Sequence, residues 1–229
     1  MTCQNGGGGA FTAGPESNLD GPAGMAIEIA IFDLDDVICR YDLGKRLRVL
    51  SRISGKMPRD IRAALWDSGF EDAADAGQYP TAEEYLAEFG RRLGHPIARE
   101  QWIEARRAAI APWPGMLGLI RKVAAHKRVA LFTNNGPLMK DGLGEIFPEA
   151  AAIFGEACYF SYEFRTKKPD PESYRRLIAR LGLAPAQAWF TDDKRSNVEG
   201  ARIAGLKAHH FVSEAQLRHE ILERQLIPS

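Results

Sequence analysis

The chain has 229 residues, 45% of them hydrophobic and 26% charged, with 30 basic residues balancing 30 acidic ones. That length buries one good core, or one core and a small satellite, and the composition is ordinary for a globular protein. With no formal net charge there is no global field toward nucleic acid or a membrane surface, and no stretch is long and apolar enough to span a bilayer.

Residues 1–24 carry Gly6-Gly7-Gly8-Gly9, little apolar matter and no basic start before a hydrophobic stretch, so a flexible arm is expected rather than an ordinary secretory signal. Neither Lys-Ser/Thr nor a βαβ pattern follows the glycines, which excludes a nucleotide loop. Cys3, Cys39 and Cys158 are odd in number and widely spread, forming no disulfide framework or zinc pattern. This fits a reducing, cytoplasmic setting. Cys39 lies six residues past Asp33, where a small buried hydrophobe is expected.

The apolar run Ile27–Phe32 predicts a buried strand, and Asp33-Leu34-Asp35-Asp36-Val37 follows it. Carboxylates at i and i+2 of an extended chain project to one side, which is costly unless a metal or a proton offsets the repulsion. The pentapeptide fits a cation site with one acid as nucleophile or ligand and the other as proton donor. It fits equally a turn in which the Asp side chains bond their own backbone.

A helical stretch follows. Leu43, Leu47 and Leu50 recur at helical spacing up to Ser54-Gly55, and Pro58 opens a helix carrying Ile61 and Leu65 inward. Thr81 with Glu84 reads as a capping box for a helix that ends at Gly94. A further helix holds Trp102, Ile103 and Ile110 and is ended by Pro112 and Pro114; from Tyr41 to Trp113 no strand is expected. Arg91-Arg92 and Arg106-Arg107 read as late-helix cations that complement the dipole.

Helices and strands then alternate. The strands are Val129–Phe132, Cys158–Phe160, Ala188–Phe190 and Ala208–Phe211; the helices are Met116–Ala125, Leu138–Ile146, Pro171–Leu181 and Asn197–Ala204, with a last one capped by Ser213 and Gln216. The prediction is an α/β fold, a Rossmann-like parallel sheet with helices on both faces, plus a small all-helical cap inserted after the first strand. Its parts are the arm, 1–24, the catalytic core, 25–40 and 114–229, and the cap, 41–113. No internal repeat is visible.

Ligands of open parallel sheets bind beyond the carboxyl ends of the strands. Those ends carry Asp33 and Asp35, then Thr133-Asn134-Asn135, then Lys167-Lys168-Pro169-Asp170, then Thr191-Asp192-Asp193. The set suits a phosphoryl group: carboxylates for Mg²⁺, a hydroxyl and amides for phosphate oxygens, and an ammonium to offset charge. Taken singly, Thr133 or the Asp192-Asp193 pair could be helix caps and Lys168 a solvated loop lysine.

These segments resemble the four motifs of the haloacid dehalogenase superfamily of phosphohydrolases: Asp33-Leu34-Asp35-Asp36-Val37, Thr133 in Leu131-Phe132-Thr133-Asn134-Asn135, Lys168 in Lys168-Pro169-Asp170-Pro171-Glu172-Ser173-Tyr174, and Thr191-Asp192-Asp193 with Asn197, Gly200 and Ala201. The likeness runs from Ile27 to Phe211, and the helical insert is similar to the cap of bacterial sugar-phosphate phosphatases, glucose-1-phosphatase-like members above all. The resemblance implies Asp33 as nucleophile and Asp35 as acid and base. Thr133 and Lys168 would complete the catalytic set, with Leu34 and Asn134 joining them on the phosphate. Mg²⁺ would sit on Asp33, Asp35 (through its carbonyl), Asp193 and, close by or through water, Asp192. Asp36 departs from the usual motif and is expected to make a turn or cap contact, while Asp35 argues against carbon–halogen cleavage.

The expected activity is hydrolysis of a small phosphate ester, with a sugar phosphomutase or a non-catalytic binding protein as alternatives. The expected partner is that small molecule, not nucleic acid or membrane, for a monomer or homodimer. Trp66, Phe70 and Glu71 in the loop Trp66–Tyr79 are candidates for substrate binding, by stacking and hydroxyl hydrogen bonds; Trp66 and Phe70 serve equally well as the cap's own core. The five histidines show no ligand spacing.

Overall fold

The computed structural model describes residues 25–228; the glycine-rich arm lies outside them. The main sheet is parallel. Its strands are β1 (Ile29–Phe32), β4 (Arg128–Thr133), β5 (Cys158–Phe160), β6 (Ala188–Asp192) and β7 (Lys207–His210), and β2 (Cys39–Tyr41) and β3 (Ile110–Pro112) form a separate antiparallel ribbon. In the order β5-β4-β1-β6-β7, β1 takes the centre, between β4 and β6. A strand flanked on both edges and covered on both faces must be apolar throughout, and all four residues of β1 are buried. Ile29 and Ile31 pack with Leu177, Ile178 and Ala201 on one face, and Ala30 and Phe32 with Ile120, Phe154 and Leu217 on the other.

Local signals set the element ends. Thr81 Oγ1 accepts from the Glu84 amide at the start of helix Ala82–Leu93, and Gly94 closes it in the left-handed conformation. Ser213 accepts from the Gln216 amide in the same way, and Gly55 ends helix Leu43–Ser54. Between β2 and β3 the chain is helical, with a π-helical turn, Ala63–Asp67, that carries Trp66.

The ribbon corrects the expectation of an insert without strands. Ile110 does not extend the preceding helix, which stops at Ala109; it is extended (φ −96°, ψ 127°) and pairs with Tyr41. Three residues are too few to show a period, so pairing across the base of the insert is decided by contact rather than by pattern. No helix among the described residues is long and apolar enough to cross a membrane.

Candidate active site

The Asp33 amide donates to the Thr191 carbonyl (3.0 Å), extending the β1–β6 ladder by one residue and fixing the acid as firmly as the strand itself. Lys168 arrives from the loop before helix Pro171–Leu181, 2% exposed, and donates to Asp33 Oδ1 (2.7 Å), Asp192 Oδ2 (2.7 Å) and the Phe132 carbonyl (3.0 Å). All three ammonium protons are thus engaged. Asn134 holds the lysine's backbone at both ends, its Oδ1 accepting from the Lys168 amide (3.0 Å) and its Nδ2 donating to the Lys168 carbonyl (2.8 Å). Its side chain is therefore committed, and only its main chain is left to meet a ligand. The same holds for Leu34, whose side chain is fully buried in the core.

Asp192 is committed too. Besides Lys168 it accepts from Asn197 Nδ2 (2.9 and 3.0 Å) and from the Lys194 amide (2.8 Å). Its neighbour Asp193 differs: half-buried, with Oδ1 out of water and without a hydrogen-bond partner among the described residues. Asp33, Asp192 and Asp193 each offer an oxygen within 4.8 Å of the others. Burial is the main reason the Asp33 carboxyl is pushed up to about 7; Lys168 opposes this and Asp192 adds to it. Burial, then Asp192, likewise raises Asp193. Burial disfavours the charge on Lys168, yet Asp192 and Asp33 outweigh it and raise its pKa. A crowded set of hard oxygens with one orphaned atom fits a small divalent cation.

Thr133 ends β4, 2% exposed, and its Oγ1 accepts from Asn135 Nδ2 (2.8 Å), which leaves the hydroxyl proton to donate. The Asp35 side chain stands outside the acid cluster and pairs through Oδ2 with Arg106 Nη2 (2.7 Å). Asp36 sits at φ 61° and accepts from the Tyr41 amide (3.2 Å), turning the chain into β2. Short polar side chains tolerate that left-handed geometry, and a turn contact is what this third acid makes. Cys39 is buried, its thiol 3.8 Å from Asp35 Oδ1, and burial raises its pKa.

Across a cavity of about 230 Å³ stands a wall contributed by the insert, with Arg46, Trp66, Glu71, Asp75 and Arg106 lining it. Trp66 and Glu71 are thus where a substrate contact would need them. Phe70 is not, which corrects its assignment to substrate: it is 1% exposed, stacks on Tyr85 (5.4 Å between centroids) and packs against Phe89 and Tyr79. The aromatic cluster needs it as a centre, and nothing of it reaches the cavity.

Arg106 needs a correction as well. Only Arg107 of that pair is solvated; Arg106 is 2% exposed, with its guanidinium 4.4 Å from the Tyr41 ring and on Asp35. Both Arg46 and Arg106 lie on the apolar stripe of an amphipathic helix, beside Leu47 and Leu50 in one case and Trp102 and Ala109 in the other. A cation on such a stripe must find a buried partner, and that was the available signal. Asn135 and Asn197 stand in the motif segments and Asp75 among the acids of the loop Trp66–Tyr79, but nothing in the sequence assigns their side chains a role.

The parallel sheet carries a cluster of three acids, Asp33, Asp192 and Asp193, beyond the carboxyl ends of β1 and β6, where ligands of such sheets bind. Residues 27–205 match the haloacid dehalogenase-like hydrolases, and the chain belongs to that family. Phosphatase MT3486 of Mycobacterium tuberculosis is 26% identical over 86% of this chain and 93% of its own length. D-ribitol-5-phosphate phosphatase of Bacteroides thetaiotaomicron is 24% identical over 85% and 97%. A haloacid dehalogenase-family enzyme of the same bacterium, solved in complex with magnesium and inorganic phosphate, superposes with a TM-score of 0.67 at 21% identity, covering 81% of this chain and 94% of its own.

Proposed function

We propose that the protein is a Mg²⁺-dependent phosphatase that hydrolyses a small phosphorylated metabolite through an aspartyl-phosphate on Asp33. The observation that carries this is the asymmetry of Asp33, an acid that lines the cavity: Oδ1 accepts from Lys168, while Oδ2 has no hydrogen-bond partner among the described residues. The family and the phosphatase names of relatives support the reading, as does the magnesium and phosphate in a structural neighbour.

Asp33 Oδ2 attacks phosphorus, the ester P–O bond breaks, and its electron pair leaves with the alcohol oxygen, which takes a proton from Asp35. Asp35 then takes a proton from water, whose oxygen attacks the phosphoryl group; the bond to Asp33 breaks, and inorganic phosphate and free Asp33 result. The Thr133 hydroxyl and the Asn134 backbone amide donate to the transferring oxygens, and the positive charge of Lys168, held on Asp33, offsets theirs. Asp33, Asp193 and the Asp35 carbonyl would hold the ion, with Asp192 behind them, and a bound divalent ion supplies further positive charge to the phosphoryl oxygens. The unpaired thiols of Cys39 and Cys158 suit a cytoplasmic location.

The test is phosphate release from an aryl phosphate with Mg²⁺. Activity should vanish in excess chelator and fall to background in Asp33→Asn; full turnover in either case would sink the reading.

A further inference from the structure

This inference deepens the phosphatase reading and rests on it. The wall facing the phosphate site carries several charges, and most are matched. Arg106 pairs with Asp35, Lys167 with Asp72, and Arg46 with Glu71 at 3.4 Å. Asp75 is the exception. It lines the cavity one helical turn after Glu71, on the same side of helix Phe70–Asp75. Its backbone carbonyl accepts from Ser161 Oγ (2.6 Å), but its carboxyl has no hydrogen-bond or ion-pair partner among the described residues. Burial and then Glu71 raise its pKa; Lys167 and Arg106, the cations that oppose this, are committed to other acids.

A second observation on the same wall also asks for a ligand. The Arg46 guanidinium lies 5.0 Å from the ring centroids of both Trp66 and Trp102 and is buried, yet its protein contacts are two long ones, to Glu71 and to the Tyr41 hydroxyl (3.4 Å each). Its Nε has no partner. One group on the wall therefore lacks a cationic donor, and a neighbour lacks an acceptor.

We infer that the alcohol released by this enzyme carries an ammonium group, read by Asp75, with an oxygen acceptor beside it for Arg46. The substrate class is a phosphate monoester of an amino alcohol or a hydroxyamino acid. A second anionic group alone would meet Asp75 and Glu71 unfavourably. A neutral polyol would leave the Asp75 carboxyl without a cationic partner. An ammonium completes the wall's charge pairing and gives Asp75 a charge-assisted hydrogen bond.

The experiment compares kcat/KM for O-phosphoethanolamine, O-phosphoserine, glycerol phosphate and ethyl phosphate, with an aryl phosphate alongside. An amine-bearing ester should exceed both neutral esters by at least about tenfold, and Asp75→Asn should collapse that ratio. Phosphoserine ahead of phosphoethanolamine puts a carboxylate on Arg46; the reverse order puts a bare amino alcohol in the site. Turnover of the aryl phosphate with no preference for an amine, or with glycerol phosphate favoured, overturns the inference and leaves the phosphatase reading standing. If even the aryl phosphate is inert, that reading has failed, and calorimetric binding to the unmutated protein decides: equal affinity for phosphoethanolamine and ethyl phosphate overturns the inference. Should Asp75→Asn not fold, as judged by circular dichroism, the ratio in the unmutated protein decides alone.

Discussion

At the core rim, Lys168 makes three short hydrogen bonds and Asp192 accepts from both Lys168 and Asn197. Across the cavity and among the described residues, Arg46 makes two hydrogen bonds, both at 3.4 Å, and the Asp75 carboxyl makes none. Charged groups are saturated on one side and left open on the other. On the proposed phosphatase reading the saturated side would meet the phosphate, which every substrate shares, and a preset charge arrangement there would cost no reorganisation during reaction. The open side would then meet the part of the substrate that varies, with its unmet valences left for the ligand to fill.

The largest effect that sharpens this contrast is at the rim. Asp35→Asn keeps the nucleophile but loses acid and base help, which is typically worth about 10²–10⁴-fold. An aryl phosphate needs little protonation on leaving, so this variant should be phosphorylated and then stall, with the adduct visible by intact mass. Label on Asp35 or Asp36 in the unmutated protein would overturn the assignment.

Next come the two buried cations. Lys168→Met strands the carboxylates of Asp33 and Asp192 and should cost about 3–5 kcal/mol in urea denaturation. Arg46→Met breaks only long contacts and should cost about 1 kcal/mol. Equal losses would erase the distinction between the two sides.

The last contrast lies within the insert. Phe70→Ala should cost about 3–5 kcal/mol by emptying the aromatic cluster, with the ranking of substrates unchanged. Trp66→Ala should alter that ranking at a smaller cost in stability, because its ring is half-buried and faces the cavity. Unaltered ranking in Trp66→Ala would make the tryptophan purely structural.

Much of the core could be read from sequence because its signals are local or periodic. Ile27–Phe32 is an unbroken apolar run, Pro171–Leu181 runs from a proline to a glycine, and acids or their partners stand just beyond several strands. The β2–β3 ribbon could not be read, since three-residue strands have no period to display. Phe70 and Trp66 share aromatic character and lie four residues apart, so composition could not say which one turns inward. Arg106 was missed for a different reason: its role exists only once helix Arg99–Ala109 is laid against Asp35, 71 residues away in the chain.

That pairing works like a lock with two keys held by different hands. Asp35 belongs to the core and Arg106 to the insert, and the Arg106 guanidinium also reaches Asn135 Oδ1 (3.5 Å), whose amide is bonded to Thr133. Any parting of the two would withdraw the arginine from Asp35 and from Asn135, the partner of the Thr133 hydroxyl, in one movement. The full set of groups around Asp33 therefore exists only when both are in place, and on the proposed mechanism solvent entering through a gap would meet a nucleophile without its complete company.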